Sequence, residues 1–109
     1  MINVHGTATM YNDEMEAVAI NRAGLAEVPI NSLKGFFGHT MGAAGLVETL
    51  ITMQSLDDGV ILGTKGFYNL GVSRKVNISS YNREAKGMRF IKLISGFGGC
   101  NAAVRYSKQ

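Results

Sequence analysis

Two histidines, a lysine and a glutamate lie in or beside glycine-rich turns of this sequence. His5 belongs to the stretch VHGTAT, and His39 belongs to KGFFGHTMGAAGLVE, which begins with Lys34 and ends with Glu48. Two neutral imidazoles that each donate one N–H to a single carbonyl oxygen form an oxyanion site, which stabilises an enolate or a tetrahedral intermediate. We therefore predict that the two histidines act at a carbonyl group, with Lys34 and Glu48 paired beside them.

A third glycine-rich turn, SGFGGCNA at residues 95–102, also follows an apolar run. Each of the three turns comes directly after a predicted strand. Ligands of α/β folds bind at the sheet edge where the carboxyl ends of parallel strands meet. A helix that begins at residue 42 or 43 would add the positive end of its dipole there. The three turns are therefore expected to lie together and to form one site.

Apolar runs predict strands at both ends of the chain. The first strand covers residues 2–4 and the second covers 28–33, whereas a third at 88–95 turns back into a fourth at 102–106. Residues 60–88 are less regular and predict a long surface loop with short β pieces. Strands that alternate with helices favour an α/β fold with a mixed sheet, in the order β-α-β-α-loop-β-β.

Two helices are predicted between these strands. Asp13 and Glu16 have the spacing of a capping box at the start of the first helix, and Gly24 is expected to end it. The second helix is expected to end at Gly59 and to be buried, because it is apolar on most of its faces. The apolar residues on one of these faces are Leu46, Leu50 and Met53.

The composition is that of a globular protein, because 46% of the 109 residues are hydrophobic and 17% are charged. The low charged fraction indicates that more protein covers part of the surface. The net charge is +3, but the basic residues are scattered and predict no nucleic-acid partner. No apolar stretch is long enough for a bilayer and no secretory signal begins the chain, which predicts a cytoplasmic protein without a membrane partner.

Cysteine and histidine spacing gives no support for a metal site or a disulfide. Cys100 is the single cysteine, and neither HxxxH nor HExxH occurs. One free thiol is compatible with a reducing compartment. We interpret Cys100 as a small buried residue.

Three motifs occur in the order HGTAT, K-x-x-x-GHTMGAAGxxE and GFGGCNA. Together they resemble the motifs of the β-ketoacyl-acyl-carrier-protein synthases of the thiolase superfamily, and they cover nearly the whole chain. The resemblance implies that residues 1–109 are the C-terminal segment of a ketosynthase domain, a thiolase-like half-domain that is incomplete at its N-terminal side. The implied reaction is decarboxylative Claisen condensation of an acyl thioester with malonyl-acyl-carrier protein (malonyl-ACP), in fatty-acid or polyketide-type synthesis.

The resemblance also implies a role for each matching residue. His5 and His39 would assist malonyl decarboxylation and hold the enolate oxygen. Lys34 and Glu48 would belong to the same polar network. Phe97 matches a phenylalanine that gates the acyl-binding cysteine. No cofactor is implied other than the phosphopantetheine arm that the carrier protein brings, and the residues implied to contact the substrate are Thr7, Thr9, Phe97, Gly98 and Gly99.

The sequence also departs from the family pattern. The nucleophilic cysteine of the family lies in an earlier segment that these residues do not include, and Cys100 stands where the glycine turn usually carries threonine. We therefore expect this chain alone to be inactive as an acyltransferase. The implied partners are acyl carrier protein, the N-terminal ketosynthase portion and a second copy in a dimer.

Two other interpretations stay open at this point. One is a non-catalytic ketosynthase-like subunit of the chain-length-factor type, which would work in a heterodimer. The presence of both His5 and His39 argues against it. The other interpretation is a small independent binding module, which would be monomeric and well folded.

Overall fold

A five-stranded mixed sheet forms the centre of the computed structural model, which describes residues 1–67 and 70–108. The strands are β1 (Ile2–Asn3), β2 (Pro29–Asn31), β3 (Val60–Ile61), β4 (Asn77–Ile78), β5 (Arg83–Glu84), β6 (Arg89–Gly96) and β7 (Cys100–Ser107). The central sheet has the order β4-β2-β1-β6-β7, and β3 pairs with β5 separately. Tyr68 and Asn69, which fall in the predicted surface loop, and Gln109 lie outside the described residues.

Helices cover both faces of this sheet. They are α1 (Met10–Arg22), α2 (Lys34–Phe37) and α3 (Ala44–Asp57), with a 3-10 turn at Met41–Ala43 before α3. The predicted α/β class with a mixed sheet is confirmed. The prediction missed α2, which is one short helical turn inside the second glycine-rich segment.

The strands that precede the three glycine-rich turns run parallel to one another. β1 pairs in parallel with β2 on one side and with β6 on the other. Their carboxyl ends therefore lie at the same edge of the sheet, as the sequence predicts. His5, Ser32 and Phe97 all follow at this edge.

The two faces of the sheet differ in polarity because neighbouring residues of a strand point to opposite sides. Ile2 and Val4 of the first strand pack with Ile30 and with Ile20 of α1 in a buried apolar cluster. The opposite face carries a polar row in which Asn3 lies beside Asn31 on β2 and beside Lys92 on β6. The members of this row are Asn31, Asn3 and Lys92, and all three are buried.

Helix α3 packs against the sheet through its polar face, so the prediction that its apolar faces are buried is wrong. Three of its large apolar residues point outward: Leu46, Leu50 and Met53 are 66%, 54% and 46% exposed. The inner face meets the polar row of the sheet, which explains the inversion. The buried residues of α3 are Ala44, Glu48, Thr49, Thr52, Ser55 and Leu56.

The predicted capping box at the start of α1 is also wrong. The helix begins at Met10, and no side chain caps it. The Glu16 carboxylate instead accepts hydrogen bonds from the backbone N–H groups of His5 and Gly6, at 2.6 and 2.9 Å. Asp13 accepts one from Thr7 at 3.2 Å. The two acidic residues therefore fix the turn before the helix instead of the first turn of the helix.

The C-terminal hairpin has the predicted form, but the prediction that Cys100 is buried is wrong. Strands β6 and β7 pair in register from Arg89↔Ser107 to Gly96↔Cys100. Since β7 is the last strand of the sheet, most of its residues are exposed, and Cys100 is among them.

Among residues 1–67 and 70–108, no helix is both long enough and apolar enough to cross a membrane.

Candidate active site

The two histidine rings meet at the sheet edge where the parallel strands end. His5 follows β1 and is 4% exposed, whereas His39 is exposed and follows α2 and Gly38. Gly38 has a φ of +79°, a backbone conformation that favours glycine and turns the chain at this point. The ring centroids are 5.0 Å apart and the ring planes make an angle of 83°. The structure therefore brings together the two residues on which the carbonyl chemistry depends.

Hydrogen bonds at Nδ1 determine which ring nitrogen carries the proton. The backbone N–H of Met41 donates to Nδ1 of His39 at 3.0 Å. The Lys34 ammonium, which can only donate, lies 3.2 Å from Nδ1 of His5. Because Nδ1 accepts a hydrogen bond in each ring, the N–H of each ring is on Nε2. The site thus holds two Nε2–H donors.

His5 is held in its neutral form. Its pKa is lowered to about 4, first by burial and then by electrostatic repulsion from Lys34, His39 and Lys92, while Glu48 acts in the opposite direction. Near neutral pH the ring is therefore uncharged. It can donate a hydrogen bond from Nε2 without bringing a positive charge into the site.

Lys34 and Glu48 form the predicted pair behind His5. The Lys34 Nζ lies 2.8 Å from Oε2 and 3.1 Å from Oε1 of Glu48. It also donates to the backbone carbonyl of His5. The Glu48 side chain is fully buried, and that of Lys34 is 8% exposed. Lys34 thus connects α2, α3 and the end of β1 at the back of the ring.

Two threonines line a cavity of about 730 Å³ that His39 also lines. The hydroxyls of Thr7 and Thr9 are 2.6 Å apart. Both residues line the cavity together with Lys34, and apolar residues such as Ile20, Ile30 and Ile78 form much of the remaining lining. The threonines therefore offer hydroxyl groups to a ligand that approaches the histidine pair.

The turn of the C-terminal hairpin occupies the same edge but points outward. The side chain of Phe97 is fully exposed, and Gly98 and Gly99 have φ values of +78° and +80°. Within the described residues, the lining of the cavity includes none of these three. The gating and substrate-binding roles of this turn remain predictions.

Two buried charges of the site were missed by the sequence analysis. The spacing predicts that Glu16 caps a helix, but its carboxylate accepts hydrogen bonds from the backbone N–H groups of His5 and Gly6. The sequence analysis gives Lys92 no role beyond its place in the predicted strand at 88–95, but its side chain is 3% exposed and its Nζ lies 2.9 Å from Oε1 of Glu48. The signal that could have revealed it is that its same-face neighbours in the strand, Phe90 and Ile94, are both apolar.

Potential metal ligands are scattered in the part of the chain that the structure describes. Across residues 1–67 and 70–108, no three side chains of histidine, cysteine, aspartate or glutamate come together in a group that could hold a metal ion.

Comparisons with known proteins agree with this geometry. Residues 1–67 match the family model described as "Beta-ketoacyl synthase, C-terminal domain". The chain is 34% identical to 3-oxoacyl-[acyl-carrier-protein] synthase 2 of Vibrio cholerae over 116 residues. It is also 34% identical to 3-oxoacyl-[acyl-carrier-protein] synthase 1 of Haemophilus influenzae over 110 residues. Each alignment covers 98% of this chain but only 27% of the relative, so the chain spans about a quarter of their length.

Solved structures show the same fold. A β-ketoacyl synthase from Burkholderia phymatum superposes with a TM-score of 0.91 at 26% identity, over 99% of this chain and 27% of that one. Ketosynthase twelve of the bacillaene polyketide synthase from Bacillus amyloliquefaciens gives 0.88 at 21% identity, over 99% and 22% of the two chains. At that identity the second likeness shows the fold alone. The chain therefore belongs to the beta-ketoacyl synthase family and carries the C-terminal domain of that family.

Proposed function

We propose that this chain supplies the histidine-bearing part of the active site of a β-ketoacyl-acyl-carrier-protein synthase. The observation that carries the proposal is the pair of rings, with centroids 5.0 Å apart and with Nδ1 of each ring engaged. The relatives from Vibrio cholerae and Haemophilus influenzae carry the name of this activity. In the complete enzyme the product is a 3-ketoacyl thioester.

The reaction develops negative charge on one oxygen. When malonyl thioester loses CO₂, the electrons of the broken C–C bond pass to the thioester group and form an enolate. Its carbon attacks the acyl thioester, a C–C bond forms, and the C–S bond of the acyl group breaks to release a thiol. His5 and His39 donate their Nε2–H groups to the enolate oxygen. Removal of one such donor typically lowers the rate by roughly 10²–10³-fold.

Lys34 and Glu48 act through His5 and not on the substrate. The pair fixes the Nδ1 side of His5 and the carbonyl of the same residue, so the Nε2–H keeps one direction. Thr7 and Thr9 are the proposed contacts of the phosphopantetheine arm, and this is supported by their place in the lining of the cavity that His39 also lines. Phe97 belongs to the exposed turn and would meet the acyl group in the complete enzyme.

The outward apolar face of α3 supports a partnership with further protein. Leu46, Leu50 and Met53 are spaced four and three residues apart and are about half exposed or more. Contiguous apolar patches on soluble proteins usually mark contact surfaces. Since the chain spans only about a quarter of its relatives, the remaining portion of the ketosynthase fold is the partner we propose for this face. Acyl carrier protein and a second copy are the other proposed partners.

A decarboxylation assay tests the proposal directly. The purified chain is incubated with malonyl-pantetheine, and acetyl-pantetheine is measured by mass spectrometry. We expect slow conversion that the variants His5→Gln and His39→Gln both abolish. If neither variant changes the conversion, or if the wild-type chain gives none, the histidine pair does not carry this chemistry. The alternative of a non-catalytic subunit of the chain-length-factor type predicts that the wild-type chain gives no conversion.

A second assay tests condensation. With acyl- and malonyl-acyl-carrier protein, we expect no 3-ketoacyl product from these 109 residues alone, because they lack the segment in which the family carries its acyl-accepting cysteine. Product above background would contradict this expectation. The Cys100→Ser variant is the matched control, since it would show whether the exposed thiol accepts the acyl group.

A further inference from the structure

Lys92 is a buried charge that the proposed reaction does not use directly. It lies in the middle of β6, is 3% exposed, and faces α3 beside Asn3. Transfer of an ammonium group from water to a protein interior is strongly unfavourable unless the group finds charged and polar partners. Its partners therefore indicate what the residue does.

Three oxygen atoms surround the Lys92 ammonium. They are the backbone carbonyl of Leu93 at 2.8 Å, Oε1 of Glu48 at 2.9 Å and the backbone carbonyl of Val4 at 3.3 Å. Three acceptors match the three N–H groups of a protonated lysine. Two of these contacts lead to His5, because Val4 directly precedes it and Glu48 holds the Lys34 that contacts its ring.

From this geometry we infer that Lys92 is a positioning residue of the histidine site: its ammonium holds Glu48 and the backbone before His5, and so keeps the His5 ring in place relative to β6. The inference rests on the proposed function, because it assigns Lys92 to the histidine site of that function. Its test needs no substrate and therefore does not depend on that function. Strand β6 leads into the turn that carries Phe97. Lys92 thus joins the strand of the third glycine-rich turn to the first and second turns.

The charge of Lys92 also balances the cluster around His5. Lys34, His39, Lys92 and Glu48 are the charged or titratable groups that act on the ring, and the Glu16 carboxylate binds the backbone N–H of His5. Two ammonium groups face two carboxylates in this cluster. Loss of Lys92 leaves one carboxylate without an opposing charge, which favours the protonated form of His5.

Titration of the two histidine rings by NMR in the 109-residue chain tests the inference. The variants are Lys92→Met, which keeps the aliphatic stem, and Lys92→Gln, which keeps a hydrogen-bond donor without the charge. We expect both to raise the pKa of His5, on the order of one unit for the loss of a nearby charge. Lys108→Met is the matched control, because Lys108 pairs with Asp57 at the exposed surface and is expected to leave His5 unchanged.

A role for Lys92 in packing alone would lower stability without moving the His5 titration, and that result in a folded variant overturns the inference. If Lys92→Met does not fold, the Gln variant decides by the same measurement. No substrate is involved, so failure of the decarboxylation assay and failure of this titration are distinguishable.

Discussion

Replacement of Glu48 by glutamine is expected to destabilise the chain more than any other single charge removal at the site. The carboxylate is fully buried and lies 2.8 Å from the Lys34 ammonium and 2.9 Å from that of Lys92. Both lysine side chains are at most 8% exposed. Glutamine has nearly the same shape but no charge, so both ammonium groups would lose their counter-charge. Removal of one member of a buried ion pair costs about 3–5 kcal/mol.

That loss is large because the free energy of unfolding of a native protein is only about 5–15 kcal/mol. For a chain of this size it corresponds to a decrease in Tm of roughly 15–30 °C. Thermal and urea unfolding followed by circular dichroism measure the change. The control is Asp57→Asn, which breaks the exposed Lys108–Asp57 pair and is expected to cost about 0–1 kcal/mol. A Glu48→Gln variant within about 1 kcal/mol of the wild type would refute the argument that the triad is a tightly coupled charge cluster.

Three further predictions concern the backbone of the first turn, the titration of His5 and the outer face of α3. Gly6→Ala is expected to cost about 1–3 kcal/mol in urea unfolding, because φ is +49° and the new Cβ would lie 2.5 Å from Oγ of Ser32. The free energy of unfolding should fall as the pH decreases from about 6.5 to about 4, because unfolded His5 binds a proton in this range and folded His5 does not. His5→Gln should remove this contribution of His5 to the pH dependence of the free energy of unfolding. The raised pKa of Glu16 contributes with the opposite sign, because the folded carboxyl group binds its proton more tightly than the unfolded one. Leu50→Lys should change the free energy of unfolding by less than about 0.5 kcal/mol but reduce self-association in sedimentation velocity, since Leu50 is 54% exposed.

The features that depend on strand order and turn position could be predicted from the sequence. Parallel strands that end at glycine-rich turns place those turns at one edge, and the structure brings His5 and His39 together there. Pairing of Lys34 with Glu48 could also be predicted, because both lie around one turn and carry opposite charges. These predictions required only the direction of the strands and the chemistry of the side chains.

The features that depend on which face of an element is buried could not be predicted in the same way. The acidic residues of α1 have the spacing of a capping box, yet Glu16 binds the N–H groups of His5 and Gly6 in the turn before the helix. The N–H of Asp13, which a capping box would use, already donates to the Thr9 carbonyl because the helix begins earlier. Cys100 has the size of a core residue, but it begins the outermost strand of the sheet. In each case the neighbours in space, which the sequence does not specify locally, determined the environment.

The orientation of α3 follows from the site and explains the composition of the chain. Glu48 must reach both Lys34 and Lys92 behind His5, so the helix face that bears it has to lie against the polar row of the sheet. Leu46, Leu50 and Met53 then lie on the outer face of the helix, where they form an apolar stripe whose contact with water is unfavourable. A stable fold tolerates such an inversion when another apolar surface covers the stripe. The charge content of 17% and the length of the relatives are both explained if this chain packs, through α3, against further protein of the same family.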